Sequence, residues 1–113
     1  MLHLSGKLRV YVYRAATDMR KSFNGLRVLV RQELGENPLS GDLFLFLNRR
    51  RNRLKILVWD QDGYWIYYKQ LEKGTFSVPE NAEISREELS LLLSGLELSK
   101  LRKKQRYRHK ILG

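Results

Sequence analysis

The sequence predicts an α+β domain with an antiparallel sheet of three to four strands, one helix before the strand meander and one helix after it. Two observations favour this class: apolar segments of strand length follow one another between residues 42 and 71, and apolar stripes at helical spacing lie on either side of them. A chain of 113 residues is long enough for one domain with its own core. We expect residues 1–99 to form this domain and residues 100–113 to form a basic tail.

The N-terminal third predicts a strand followed by a helix. Residues 8–13 (LRVYVY) alternate and are rich in β-branched and aromatic side chains, which is typical of a strand. A stripe at helical spacing follows, formed by Met19, Phe23, Leu26, Val30 and Leu34. Thr17 or Asp18 is expected to cap this helix, and Gly35 and Pro38 are expected to end it.

The middle of the chain predicts a strand meander. Residues 42–47 and 54–59 read as strands joined by the loop 48–53, and the Asp-Gly pair at 62–63 predicts a hairpin into a third strand at 64–71. Leucines alternate with phenylalanines in the first of these strands, so both faces of the sheet are expected to be apolar. Either the C-terminal helix or another chain must cover the second face.

The second helix is expected to begin at Ser85. Ser85 and Glu88 form a capping-box pattern, and Gly95 marks an early end. Its buried side would consist of Leu89, Leu92, Leu93 and Leu96.

The charge predicts a polyanionic partner. Twenty-two Lys and Arg stand against 12 Asp and Glu, which gives a net charge of +10. The chain has no cysteine, which excludes disulfides, thiolate catalysis and Cys-containing zinc fingers and favours a cytoplasmic location. The N-terminus shows no signal-peptide pattern and no apolar run approaches about 18 residues, so we expect neither secretion nor a membrane partner.

Two basic clusters are the candidate nucleic-acid-binding segments. The first lies in the loop between the first two meander strands and comprises Arg49, Arg50, Arg51, Arg53 and Lys55. The second lies in the tail and includes Arg102, Lys103, Lys104, Arg106, Arg108 and Lys110. Arginine favours bidentate phosphate contacts, although a solvated hairpin tip and a solubilising tail explain the same patterns. The nearby aromatics Tyr64, Trp65, Tyr67 and Tyr68 either stack on bases or fill the faces of the sheet.

Catalytic patterns are weak. The two histidines lie near the termini, and no phosphate-binding loop is present. Asp60 and Asp62 begin like a calcium loop, but Trp65 and Leu71 occupy the positions where such a loop needs Gly and Glu. We therefore expect no enzyme activity, no metal and no cofactor.

Several segments resemble one family closely. They are DMRKSFNGL (18–26), NPLSG (37–41), FLFLNRRRNRLK (44–55), WDQDGY (59–64) and YKQLEKG (68–74). This pattern resembles the small Orf2-like accessory proteins, called TnpB, of bacterial insertion sequences that encode an acidic-triad transposase in a separate reading frame. They are unrelated to the RNA-guided nuclease of the same name. The resemblance covers most of residues 5–107, with Asn24 and Gln70 as departures from the pattern.

The resemblance implies a protein that is required for transposition or assists it, by binding DNA or the transposase, and no catalytic residue is carried over from the family. It implies a functional surface formed by Asp18, Arg20, Lys21, Gly25 and the 49–55 run; close packing of helix on sheet equally explains Gly25. The first hypothesis is an accessory factor that binds DNA through Arg20, Lys21, the basic loop and the basic tail. The alternative is an interaction protein that docks on the transposase with little DNA binding.

Three further questions stay open at this level. RNA remains an alternative to DNA, because cationic loops and aromatics do not distinguish a 2′-hydroxyl from deoxyribose. The sequence leaves homo-oligomer formation open. A metal-dependent nuclease using Asp18, Asp60 and Asp62 is a third and weaker hypothesis.

Overall fold

The computed structural model describes residues 8–95, which form one five-stranded sheet with a helix on each face. The elements in chain order are β1 Val10–Ala16, α1 Phe23–Gln32, β2 Leu43–Leu47, β3 Arg53–Asp60, β4 Gly63–Gln70, β5 Glu83–Ile84 and α2 Arg86–Leu93. The strand order across the sheet is β4-β3-β2-β1-β5. The basic tail, residues 100–113, lies outside the described residues.

The sheet is mixed, so the predicted antiparallel sheet of three to four strands is wrong in detail although the α+β class is confirmed. The meander β2-β3-β4 is antiparallel as expected. β1, however, pairs with β2 in parallel, because α1 connects the two strands and returns the chain to the starting end of the sheet. The fifth strand, β5, has only two residues and pairs with β1 on its other side.

Both faces of the sheet are covered within the chain. Leu26 and Val30 of α1 pack against Phe44 and Phe46 on one face. On the other face, the cluster is formed by leucines, isoleucines and valines of the strands together with Phe76, Leu89 and Leu92. The C-terminal helix and the segment before it therefore cover the second face, which is one of the two alternatives that the sequence left open.

The first helix begins later than expected. Ser22 is its N-cap, and neither Thr17 nor Asp18 caps it. The backbone N–H of Thr17 instead donates to the carbonyl of Leu47, which keeps this residue extended beside β2. The carboxylate of Asp18 accepts hydrogen bonds from the backbone and side chain of Arg20, so it is occupied within the loop 17–22.

The second helix begins as predicted. Ser85 is its N-cap, its hydroxyl accepts from the backbone N–H of Glu88, and the Glu88 carboxylate accepts from the Ser85 N–H. Gly95 follows the helix with a left-handed φ of 79°. Neither helix of the described part of the chain is long and apolar enough to cross a membrane.

Candidate nucleic-acid interface

The loop between β2 and β3 is held by an asparagine pair. Asn48 Oδ1 accepts from the backbone N–H groups of Asn52 and Arg53 at 3.1 and 3.0 Å, and Asn48 Nδ2 donates to Asn52 Oδ1 at 2.7 Å. These bonds turn the chain around the intervening arginines without using their side chains. We call Asn48 and Asn52 the asparagine latch.

The same loop is tied to the segment that follows β4. The carbonyl of Asn52 accepts from the N–H of Leu71 at 2.8 Å, and the carbonyl of Arg51 accepts from the N–H of Phe76 at 2.6 Å. Arg51 adopts a left-handed φ of 59°, which a non-glycine residue adopts at a cost in free energy. The backbone of the loop is therefore fixed on both sides, while Arg49, Arg50 and Arg51 remain exposed.

Lys55 follows the loop in strand β3, and its side chain is buried. Its ammonium donates to the carbonyls of Met19 at 2.7 Å and Lys21 at 2.8 Å, and lies 4.9 Å from the centre of the Tyr68 ring. Two carbonyls and one aromatic face compensate the desolvated charge. Lys55 thus joins the loop 17–22 to strands β3 and β4.

Arg20 is oriented by Asp18. The two residues form a close ion pair with 2.7 Å between Arg20 Nη2 and Asp18 Oδ2, and Asp18 also accepts from the Arg20 backbone N–H. The hydrogen bonds from the Arg20 side chain lower the pKa of the Asp18 carboxyl to about 2. The arginine side chain itself stays exposed to solvent.

These loops enclose an open depression at one end of the sheet, with a volume of about 500 Å³. We call it the basic depression; its lining residues are Thr17, Asp18, Met19, Arg20, Asn48, Arg49, Arg50, Arg53 and Tyr68. It lies where the parallel strands β1 and β2 end, so the loops that leave both strands meet there. Four arginines face one carboxylate, which makes the surface favourable for anions.

Comparison with known proteins identifies the family of the chain. The sequence profile described as "IS66 Orf2 like protein" matches residues 8–103. The chain belongs to the IS66 Orf2-like family. This confirms the resemblance seen in the sequence and associates the protein with transposition as an accessory protein of an insertion sequence.

Two curated relatives come from Sinorhizobium fredii (strain NBRC 101917 / NGR234). The uncharacterized protein y4jC is 36% identical over 108 residues, which cover 92% of each chain. The uncharacterized protein y4hO is 38% identical over 102 residues, which cover 86% of this chain and 88% of the relative. No solved structure matches this Orf2-like protein.

The predicted site residues fall into distinct places in the Orf2-like protein. Arg20, Arg49, Arg50 and Arg53 line the basic depression. Lys21 and Arg51 are exposed but do not line it, and Lys55 is buried in a structural role. The tail residues Arg102, Lys103, Lys104, Arg106, Arg108 and Lys110 lie outside the described residues.

The atoms that a side chain at Gly25 would meet first belong to Lys21 rather than to the sheet. Gly25 lies in the first turn of α1, and a Cβ at this position would lie 3.2 Å from the Cβ of Lys21. The missing side chain therefore lets Lys21 pass close to the helix.

Three residues of the depression, Thr17, Met19 and Asn48, were not assigned to a functional site by sequence reasoning. Thr17 belongs to the lining although its hydroxyl is buried, and Asn48 holds the loop beside it. The spacing of Asn48 and Asn52 around the arginines is a visible signal for a latched loop, because Asn side chains bond nearby backbone in turns. The environment of Thr17 depends on β1 pairing with β2, which the sequence analysis did not predict.

The carboxylates named for metal binding do not come together. Within residues 8–95, no group of three His, Cys, Asp or Glu side chains is placed to hold a metal ion. Asp18 lies at the basic depression, whereas Asp60 is the last residue of β3 and Asp62 lies in the turn that follows it.

Proposed function

We propose that this Orf2-like protein assists transposition by binding DNA without catalysis, with the basic depression as the contact surface. The observation that carries the proposal is the convergence of Arg20, Arg49, Arg50 and Arg53 from two separate loops onto one open surface. The basic tail is proposed to add phosphate contacts.

The chemistry of arginine fits the DNA backbone. A guanidinium is always charged and binds phosphate oxygens in a bidentate manner. The asparagine latch holds the loop through Asn48 and backbone bonds, so the arginine side chains are free to contact a ligand. A preformed loop loses less conformational entropy on binding, which increases affinity.

Asp18 shapes this surface without cancelling its charge. It orients Arg20 through a close ion pair, while Arg49, Arg50 and Arg53 make no ion pair with a carboxylate among the described residues. Contacts of this kind neutralise phosphates and carry little sequence information. We therefore propose binding that depends on salt and only weakly on sequence.

The test replaces three arginines of the depression together. The change of Arg49, Arg50 and Arg53 to Gln is expected to weaken binding of a labelled random duplex at every sequence tested. It should also reduce the slope of log affinity against log salt by about 2.7, since each phosphate contact contributes about 0.9. The affinity of the full-length protein is measured by fluorescence anisotropy over a salt series.

The matched control carries the same change of charge elsewhere. Arg31, Lys73 and Arg86 are exposed and lie outside the depression, so their joint change to Gln is expected to alter the salt slope much less. Equal losses in both triple variants would show that net charge, not the depression, drives binding. No binding of the unchanged protein at low salt would favour docking on the transposase, tested by nuclease-resistant co-purification with it.

A further inference from the structure

The wall of the depression contains an exposed aromatic ring. Tyr68 is 51% exposed although it lies in β4 directly opposite Lys55 of β3. The Lys55 ammonium lies 4.9 Å from the ring centre and is itself fixed by two carbonyls, so the ring rests on a rigid support. A supported ring beside a cationic surface is the arrangement on which nucleic-acid bases stack.

These features match the parts of a single nucleotide. The arginine side chains suit its phosphate, and the Tyr68 ring suits the face of its base. A volume of about 500 Å³ lies in the range of small-molecule sites. A paired base within a duplex is stacked between its neighbours and does not offer its face to a side chain.

We therefore propose that the basic depression receives one unpaired nucleotide of the bound DNA. This inference rests on the proposed DNA binding and names the form of DNA that the site prefers. Tyr68 stacks on the extruded base, and Arg49, Arg50 and Arg53 contact the adjoining phosphates.

The test compares two DNA duplexes of equal length, one fully paired and one with a central single-nucleotide bulge. The full-length protein is expected to bind the bulged duplex about tenfold more tightly, as one stacked base contributes. Tyr68→Leu is expected to weaken binding of the bulged duplex about tenfold more than binding of the paired duplex, so that the preference is lost. Tyr68→Phe keeps the ring and is expected to keep the preference.

Trp65 supplies a matched control. It lies on the same strand with 52% exposure, but alternation places it on the opposite face of the sheet and it does not line the depression. Trp65→Leu is expected to keep the preference for the bulged duplex. Melting temperatures of the variants verify that each one folds.

The outcomes separate this inference from the proposed function. Equal affinity for both duplexes that still depends on the arginines would overturn the inference and leave DNA binding intact. A preference that survives Tyr68→Leu would also overturn it. Absence of binding to either duplex would overturn the proposed function and the inference together.

Discussion

The two hairpin connections that flank β3 differ in length, in charge and in the hydrogen bonds that hold them. The loop between β2 and β3 is long, rich in arginine and held by the asparagine latch. The turn between β3 and β4 has two residues, Gln61 and Asp62, with Asp60 immediately before it, and closes with Gln61 at a left-handed φ of 52°. The sheet is therefore cationic at one end of β3 and anionic at the other.

The difference shows that the residues that stabilise the first loop are not the residues that are available to bind a ligand. A two-residue turn only has to reverse direction, so local backbone geometry is sufficient. A longer loop loses more conformational entropy on ordering and needs internal bonds to keep a single conformation. In the first loop those bonds come from Asn48, Asn52 and the backbone, which leaves the arginine side chains available to a ligand.

Replacement of the buried Lys55 is expected to have the largest effect on the free energy of unfolding. Lys55→Met keeps an unbranched side chain but leaves the carbonyls of Met19 and Lys21 without their donor. Because hydrogen bonds to charged groups contribute most, the loss of unfolding free energy is expected to be about 3 kcal/mol. Urea unfolding measures it. A loss below about 0.5 kcal/mol would contradict the structural role of Lys55.

Asn48→Ala removes the latch and is expected to have an intermediate effect. The free energy of unfolding should fall by about 2 kcal/mol, since backbone N–H groups of the loop lose their acceptor. DNA affinity should fall as well, because the arginines are no longer preorganised. The matched change in the other hairpin, Asp62→Ala, is expected to stay within about 0.5 kcal/mol. Equal effects of the two substitutions would remove the contrast between the hairpins.

The smallest expected effect is on the pH dependence of the free energy of unfolding, which Asp18 influences at the arginine-rich end of the sheet. Folding lowers the pKa of Asp18 from 3.8 to about 2, so its stabilising contribution is present above pH 3.8 and is lost as pH falls towards 2. Asp18→Asn is expected to lose less unfolding free energy across that window than the unchanged protein. Arg20→Gln should behave in the same way, because it removes the main cause of the shift. Urea unfolding at a series of pH values tests this, and parallel curves for all three proteins would refute it.

The meander and the second helix were predictable because their signals are local. Alternating apolar residues, the Asp-Gly pair and the Ser85–Glu88 capping box act within a few positions of one another. The parallel pairing of β1 and β2 was missed although the strand–helix–strand order contained it. The N-terminus of α1 was predicted too early in the chain. The Asp18 carboxylate accepts hydrogen bonds from the backbone and side chain of Arg20 instead of capping the helix.

The candidate site was predictable in composition but not in geometry. The run 49–53 is visibly basic, and Arg20 was included through the family resemblance. Which of these cations share a surface depends on the long-range contact between the loop 17–22 and β3. For the same reason, the sequence did not distinguish Lys55, which is buried, from the exposed arginines around it.

The lysine contact has a consequence for divergence among related proteins. Lys55 bonds the carbonyl oxygens of residues 19 and 21, and a carbonyl is present whatever side chain the residue bears. Substitutions at these positions and at Arg20 between them therefore leave the anchor in place. The loop is free to exchange its side chains over evolution, so relatives with the same scaffold are able to acquire different ligand preferences by point substitutions alone.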